Sequence, residues 1–345
     1  MISSVFLSAL SLAASFPLNK RVTDEPLENV PGILSHPTIH GFPSGGYGPS
    51  QDTFIAASLY AKGHIGYAPP GSGNASCVVG EGQYPVVLVP GTVEDAYSNW
   101  AYYSQKLTDQ GLCVYTFNHN PMSFFGQSEV LGISLEAWPF AGDIKDSAAA
   151  LSQVVDYVLQ ITGASKVDLV GHSQGGGALP SWYIKKLGGA PKVNKMVALA
   201  GDYKGTNPVG LGALLTEVGL GTVADTILNE SINAEGLTQQ LTGSDFMKEL
   251  NDGDGPGVAG VRYTNIATMY DEILIPFTNT WFTQDGVDVN NIKIQDYCAL
   301  DFTDHIGFAY DPVAYQIVEN VLLDKNDKIK CTYVPPVFQK REFEA

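Results

Sequence analysis

Residues 166–182 read KVDLVGHSQGGGALPSW and place Ser173 between Gly171 and Gly175, at the end of an apolar run. The G-x-S-x-G pattern alone is a weak signal in a chain with 37 glycines. Its context strengthens it, because residues 167–170 predict a strand and the residues up to Lys186 predict a helix. This strand–turn–helix order is that of a nucleophile elbow, where glycines prevent collisions and the serine hydroxyl stands at the sheet edge. The alternative is an ordinary glycine-rich turn.

Further apolar runs predict a mostly parallel sheet flanked by helices, the α/β class. VVLV at 86–89 has four apolar residues in a row, as in a strand buried on both faces. Four other segments predict strands, and a fifth does so more weakly: 112–118, 166–171, 195–201, 262–269 and 291–297. Three segments between and before them have helical patterns: 51–62, 96–111 and 142–163. Such alternation favours a parallel sheet with helices on both faces, the α/β-hydrolase arrangement.

The order of residues along the chain selects a base for Ser173. A serine hydroxyl is a poor nucleophile until a base takes its proton. On the α/β-hydrolase fold the chain order is nucleophile, acid, histidine. Of the six histidines, His305 alone follows Ser173, and His172 directly precedes it inside the turn. We therefore expect His305 to be the base, the alternative being an ordinary surface or core histidine.

The acid must lie between the serine and the histidine, just after a strand. Asp271 is the first carboxylate after the predicted strand at 262–269, and its role would be to hold the imidazole tautomer. The alternatives are Glu272, Asp301 and Asp304. Asp304 directly precedes His305, a position from which a carboxylate reaches the imidazole Nδ1 with difficulty.

Acyl transfer also needs donors for an oxyanion. One donor is expected from the main-chain N–H of Gln174, next to the nucleophile, and the other from the loop after the first core strand. In that loop Gly91 permits close approach and Thr92 offers its N–H, with its hydroxyl as a third donor. The alternative is a plain β-turn.

Composition excludes several function classes. The net charge of −17 opposes binding to phosphate backbones, so we expect no nucleic-acid partner. The chain has no H-E-x-x-H motif and no paired C-x-x-C, so no metal is expected. No G-x-G-x-x-G follows a predicted strand, so no dinucleotide or other cofactor is expected.

The N-terminus indicates export. The apolar residues 5–14 are too short to span a bilayer and precede small residues and the dibasic pair Lys20-Arg21, so residues 1–21 are interpreted as a signal peptide with a processing site. No other apolar run approaches about 18 residues, so no transmembrane segment is expected. We therefore expect a secreted, extracellular protein. Asn74 and Asn229 begin N-x-S sequons for glycosylation.

The chain has four cysteines, Cys77, Cys113, Cys298 and Cys331. Three pairings are open from the sequence. We favour the two local pairs, Cys77–Cys113 and Cys298–Cys331, each closing about 35 residues and stabilising the fold by roughly 4 kcal/mol. Free buried thiols are the alternative.

Composition and pattern divide the chain into four parts. After the signal peptide at 1–21, residues 22–75 are an extension rich in Pro, Gly and Ser, residues 76–335 the catalytic domain, and 336–345 a tail. Within the domain, 207–260 is expected to form a cap, with Leu211, Leu214, Leu215 and Val218 on one helical face. This face either lines an acyl pocket or packs on the core.

Five segments together resemble the secreted lipases of the α/β-hydrolase class, the Candida lipase B group and the bacterial class 2 lipases. They are LVPGT at 88–92, SQGG at 173–176, DYKGT at 202–206, YDEILIP at 270–276 and DHIGF at 304–308. The resemblance implies a triad of Ser173, Asp271 and His305, an oxyanion hole of Thr92 and Gln174, and two disulfides. The chain departs from lipase B in the Gly-His that begins the elbow and in its longer N-terminal extension.

The resemblance and the candidate residues together predict a secreted carboxylic ester hydrolase, foremost a triacylglycerol lipase. Short-chain carboxylesterase or polyesterase activity is the first alternative, and a serine peptidase shares the same triad. A non-catalytic binding protein on this fold is an alternative from another class. The expected partners are a neutral lipid or other ester and, transiently, a lipid–water interface, and we expect a monomer.

Overall fold

The computed structural model describes residues 42–43, 45–121, 123–124, 129–130, 133–134, 138–217, 231–232 and 234–338. The expected signal peptide, residues 22–41 and 44 of the N-terminal extension, Val218, Asn229 and the tail beyond residue 338 lie outside the described residues.

The centre of the molecule is a six-stranded sheet in which all neighbours are parallel. Its strands are β1 Val86–Val89, β2 Val114–Thr116, β3 Val167–His172, β4 Val193–Leu199, β5 Arg262–Ala267 and β6 Asp288–Lys293. Their order across the sheet is β6-β5-β4-β3-β1-β2. The predicted α/β class is confirmed, since parallel strands require the crossovers that put helices on both faces.

Nine α-helices lie in the described part of the chain. They are α1 Phe54–Gly63, α2 Ala96–Trp100, α3 Tyr103–Asp109, α4 Ile144–Thr162, α5 Ala178–Lys186, α6 Pro208–Glu217, α7 Glu235–Gln239, α8 Asp245–Leu250 and α9 Pro312–Leu322. Alternate residues of β1 enter two separate cores: Val86 and Leu88 face one, and Val87 and Val89 face the other. Both faces of the sheet are therefore covered, which explains the continuous apolar run in β1.

The longest helix, α4, follows its sequence pattern closely. The Asp143 carboxylate accepts the N–H of Lys145 at 2.8 Å and caps the first turn. Gly163 ends the helix in the left-handed conformation at φ 68°, which glycine adopts without a steric cost.

Two elements differ from the sequence-based expectation. The helical pattern at 96–111 forms two helices, because the chain breaks at Ala101 and Tyr102 between α2 and α3. The last strand begins at Asp288 rather than near residue 291. This edge strand buries Ile292 alone among its residues, so its sequence carries little apolar signal.

The expected helix in the N-terminal extension is α1, and it packs on the domain. Phe54, Ala57 and Ala61 are buried in the same core as Tyr97 of α2. The Phe54 ring lies 6.3 Å from the ring of Tyr310. This part of the extension is therefore integrated in the fold.

All four cysteines form disulfides, in the local pairing favoured from the sequence. Cys77–Cys113 spans 36 residues and ties the segment before β1 to the start of β2. Cys298–Cys331 spans 33 residues and ties the loop after β6 to the segment after α9. In the described residues no helix is both long and apolar enough to cross a membrane.

Candidate active site

Ser173 lies on a sharp turn at the carboxyl end of the sheet. β3 ends at His172, and Ser173–Gly175 form a 3-10 turn that leads to α5. Ser173 has φ 55°, a left-handed conformation that a non-glycine residue rarely adopts. Its carbonyl accepts the N–H of Gly176 at 2.9 Å, so the turn is closed by its own main chain.

The two glycines that flank the serine have no space for a side chain. A Cβ on Gly171 would lie 1.7 Å from the carbonyl oxygen of Gly175. A Cβ on Gly175 would lie 2.2 Å from the carbonyl oxygen of Val89 in β1. The tight bend of the main chain therefore requires glycine at both positions.

His305 and Asp271 meet in the interior beside this turn. The imidazole Nδ1 lies 3.0 Å from Asp271 Oδ1 and 2.9 Å from Oδ2. Oδ1 also accepts the N–H groups of Ile273 and Leu274 at 3.0 and 2.7 Å, which fixes the carboxylate. Both side chains have no exposed surface, so the pair is shielded from water.

The other carboxylates considered from the sequence bind main-chain amides. Glu272 Oε2 accepts the N–H of His305 at 3.2 Å. Asp304 accepts the N–H of Gly307 at 3.0 Å, and Asp301 accepts that of Thr303 at 3.0 Å. Asp271 is therefore the carboxylate that the structure places on the imidazole Nδ1.

The surroundings of His305 make it a stronger base. Burial by itself lowers its pKa, but the charge of Asp271, the hydrogen bond to that carboxylate and the charges of Glu272 and Glu94 outweigh burial. The result is a pKa of about 9. The second ring nitrogen, Nε2, is buried and has no hydrogen-bond partner within the described part of the chain.

The structure also brings Thr92 and Gln174 together. Gln174 Nε2 donates to Thr92 Oγ1 at 3.0 Å and to the carbonyl of Phe140 at 3.1 Å. The Thr92 hydroxyl in turn donates to Gln240 Oε1 at 2.9 Å. Because that proton is engaged with Gln240, the hydroxyl is not the free third donor expected from the sequence.

Comparison with known proteins gives the family. Residues 83–318 match the family described as Lipase (class 2), which is more than half of the chain. The chain belongs to the class 2 lipase family. The resemblance found in the sequence is therefore confirmed.

Two solved structures are similar to that of this class 2 family member, and the first of them shares its fold. Lipase B of Aspergillus fumigatus matches with a TM-score of 0.55 and 22% identity, over 75% of this chain and 60% of that one. The present chain thus spans 60% of the length of the Aspergillus protein. The mature lipase BlEst2 of Bacillus licheniformis matches with a TM-score of 0.49 and 16% identity, over 71% of this chain and 94% of that one.

Two residues of the segment 207–260, which the sequence predicts to form a cap, contact the site and were missed by the sequence reasoning. Gln240 holds the Thr92 hydroxyl, and Glu217, at the end of α6, hydrogen-bonds Glu272. Each lies at the end of a short helix, where neither hydropathy nor a motif distinguishes it. The cap leucines Leu211, Leu214 and Leu215 are buried in the core, which is the packing alternative for that face.

Glu217 and Glu272 form a carboxyl pair beside Asp271. Burial and then the charge of Glu272 raise the pKa of Glu217, and burial and then the charge of Asp271 raise the pKa of Glu272. A hydrogen bond between two carboxyl groups needs a proton on one of them. The pair therefore joins α6 to the loop after β5 while it keeps that proton.

The elbow geometry predicts that Gly175→Ala lowers the free energy of unfolding by at least about 3 kcal/mol, because the new Cβ collides with β1. Gly212→Ala in α6 is the matched control, since nothing lies within 4 Å of its Cβ position. We expect that variant to be neutral or more stable by up to about 1 kcal/mol. Urea unfolding monitored by circular dichroism measures both, and equal stability of the two variants would contradict the geometry.

The carboxyl pair predicts a loss of stability at alkaline pH. Because the folded state raises both pKa values, it binds the shared proton more tightly than the unfolded chain, and this stabilisation is lost as pH rises. In Glu217→Gln the amide donates to Glu272 at every pH. Between pH 5 and pH 9 the Tm of this variant should therefore fall by about 3 °C less than the Tm of the native protein.

Glu249→Gln is the control for this experiment, since it removes a carboxylate from an exposed pair with Lys145. Differential scanning calorimetry at the two pH values compares the three proteins. An unchanged pH dependence in Glu217→Gln would exclude the shared proton.

Proposed function

We propose that this class 2 family member is a carboxylic ester hydrolase, and specifically a triacylglycerol lipase, with Ser173 as nucleophile. The observation that carries the proposal is the buried Asp271–His305 pair beside a serine held at φ 55° on the elbow. A strained turn of this kind persists where the surrounding structure fixes it for a function.

The residues support a two-step acyl transfer. His305 Nε2 takes the proton of Ser173 Oγ as that oxygen attacks the ester carbonyl, while Asp271 stabilises the imidazolium through Nδ1. The N–H groups of Thr92 and Gln174 stabilise the oxyanion. His305 then gives its proton to the leaving alcohol, and the acyl-enzyme forms. Water, deprotonated by His305, releases the acid and restores the serine.

A cavity beside the loop after β1 supports the proposed substrate class. It has a volume of about 240 Å³. Its apolar wall includes Val93, Phe54 and Leu59 of α1, and Trp138, and Lys62, Asp95 and Glu217 also line it. Apolar linings of this kind suit acyl chains. Ile55 and Leu59 are 49% and 66% exposed on α1, which supports transient contact with a lipid–water interface.

Export and organisation belong to the same proposal. We infer that the protein is secreted after removal of residues 1–21, works as a monomer, and carries a glycan at Asn74 and at Asn229. Two disulfides support an oxidising compartment, and Asn74 is exposed. The domain is taken as residues 76–335, with 207–260 as its cap.

Loss of the nucleophile tests the activity. We expect Ser173→Ala to lower the kcat for p-nitrophenyl butyrate by at least about 10⁴-fold, because no other group can form the acyl-enzyme. Wild-type-like turnover in this variant would contradict the proposal.

The native rates on tributyrin and on a tripalmitin emulsion distinguish a lipase from a short-chain esterase, and a casein assay tests for peptidase activity.

The raised pKa of His305 predicts an alkaline enzyme. The imidazole must be neutral to act as base, so kcat/KM should rise with pH, reach half of its maximum near pH 9, where the pKa lies, and level off above that. In Asp271→Asn the carboxylate that raises this pKa is lost, so the rise should occur at lower pH and the plateau should fall by about 10³-fold or more. A profile that is flat between pH 6 and pH 9 would contradict the assignment of His305.

A further inference from the structure

Three polar side chains are buried beneath the elbow and take no part in the steps above. They are Glu94, Asn99 and His172, with exposed fractions of 2%, 0% and 0%. Buried polar groups in the interior are stable only when they are bonded to one another or to the main chain. We call these three residues the elbow cluster.

His172 connects the cluster to the proposed base. Its Nδ1 lies 2.8 Å from Glu94 Oε2, and its Nε2 lies 2.9 Å from the main-chain carbonyl oxygen of His305. Both neighbours offer oxygen atoms that accept hydrogen bonds. The ring therefore bridges the Glu94 carboxylate and the His305 carbonyl.

Asn99 connects the cluster to the oxyanion loop. Its Oδ1 accepts the N–H of Gly91 at 2.9 Å, which fixes the orientation of the amide. Its Nδ2 lies 3.2 Å from His172 Nδ1, farther than the Glu94 carboxylate. A Cβ on Gly91 would lie 2.4 Å from Glu94 Oε2 and 3.2 Å from Ser173 Cβ. The cluster therefore packs against the loop at Gly91, and Gly91 in turn lies close to Ser173.

His305 is held at three points. Its imidazole bonds Asp271, its N–H donates to Glu272, and its carbonyl accepts from His172. The third contact comes from the residue immediately before Ser173, so it sets the position of the base relative to the nucleophile. Reacting groups must be placed to well within 1 Å, and a larger error costs about 10²-fold in rate.

We propose that Glu94 and His172 are positioning residues: Glu94 holds the His172 ring, and His172 Nε2 fixes the main chain of His305 against the elbow. This inference rests on the proposed function and adds two residues that do not touch the substrate. The cluster thereby links base, nucleophile and oxyanion loop.

Two substitutions of His172 separate its two bonds. His172→Gln places an amide N–H near the position of Nε2 and can donate to the His305 carbonyl. His172→Asn places an amide N–H near Nδ1 and can donate only to Glu94. We expect kcat on p-nitrophenyl butyrate to be at least 10-fold higher in the Gln variant than in the Asn variant, with KM within twofold of native for both.

Glu94→Gln keeps the shape and one acceptor oxygen, so it is the milder second variant if either His172 variant fails to fold. We expect its kcat to fall by about 10-fold and its KM to stay within twofold. Labelling by a fluorophosphonate should slow by the same factor. The probe reports the activation of Ser173, and its reaction does not require binding in an acyl pocket.

Asp168→Asn is the matched control, since Asp168 is a buried carboxylate at the opposite end of the same strand β3, bonded to Asn194. We expect it to change Tm and leave kcat within twofold of native. A native kcat in Glu94→Gln, or a His172→Asn variant as active as His172→Gln, would overturn the proposal. Absence of ester hydrolysis in the native enzyme would instead overturn the proposed function.

Discussion

The site depends on one constraint, which is the close approach of the turn after β3 to the carboxyl end of β1. The register pairs Val89 with Gly171, so both strands leave the sheet at the same level. The turn after β3 then presses on the end of β1, where only the absence of a Cβ at Gly175 allows the approach. Ser173 and the loop after β1 therefore come together through sheet register rather than through contacts of their side chains. Any shift between the two strands would separate them.

A second constraint is the number of buried carboxyl groups that surround His305. Asp271, Glu272 and Glu217 lie side by side, and removing several carboxylates from water is unfavourable unless charge is compensated or neutralised. Asp271 is compensated by His305 and by two main-chain amides. Glu272 and Glu217 are neutralised in part by the proton that their raised pKa values retain. The same acidic surroundings that make His305 more basic thus tie α6 to the loop after β5.

The sequence was sufficient for the sheet and for the order of the candidate site residues, because both depend on local or one-dimensional signals. Apolar runs marked the central strands, and the position of His305 after Ser173 left no other choice of base. The supporting residues carry no such signal. Thr92 and Gln240 are bonded across a separation of 148 residues, and Glu94 meets His172 across 78. A buried polar residue in a turn looks like any solvated one until the fold supplies its partner. The start of the edge strand β6 was predicted at the wrong residue for a related reason. The strand buries only one side chain, so its sequence shows no apolar pattern.

The described part of the N-terminal extension, which lies outside the resemblance to lipase B, packs on α2 and so supports the loop after β1. α2 begins directly after the loop that follows β1, and its residue Asn99 accepts the N–H of Gly91 in that loop. The hydroxyl of Tyr97 in this helix donates to the carbonyl of Pro49 at 2.7 Å and accepts from Gln51 at 3.2 Å. Because α2 has only five residues, its own hydrogen bonds give it little stability. Packing of the preceding segment on Tyr97 therefore holds in place the helix from which Asn99 reaches the oxyanion loop. The extension is thus a structural part of the site and not an appendage to it.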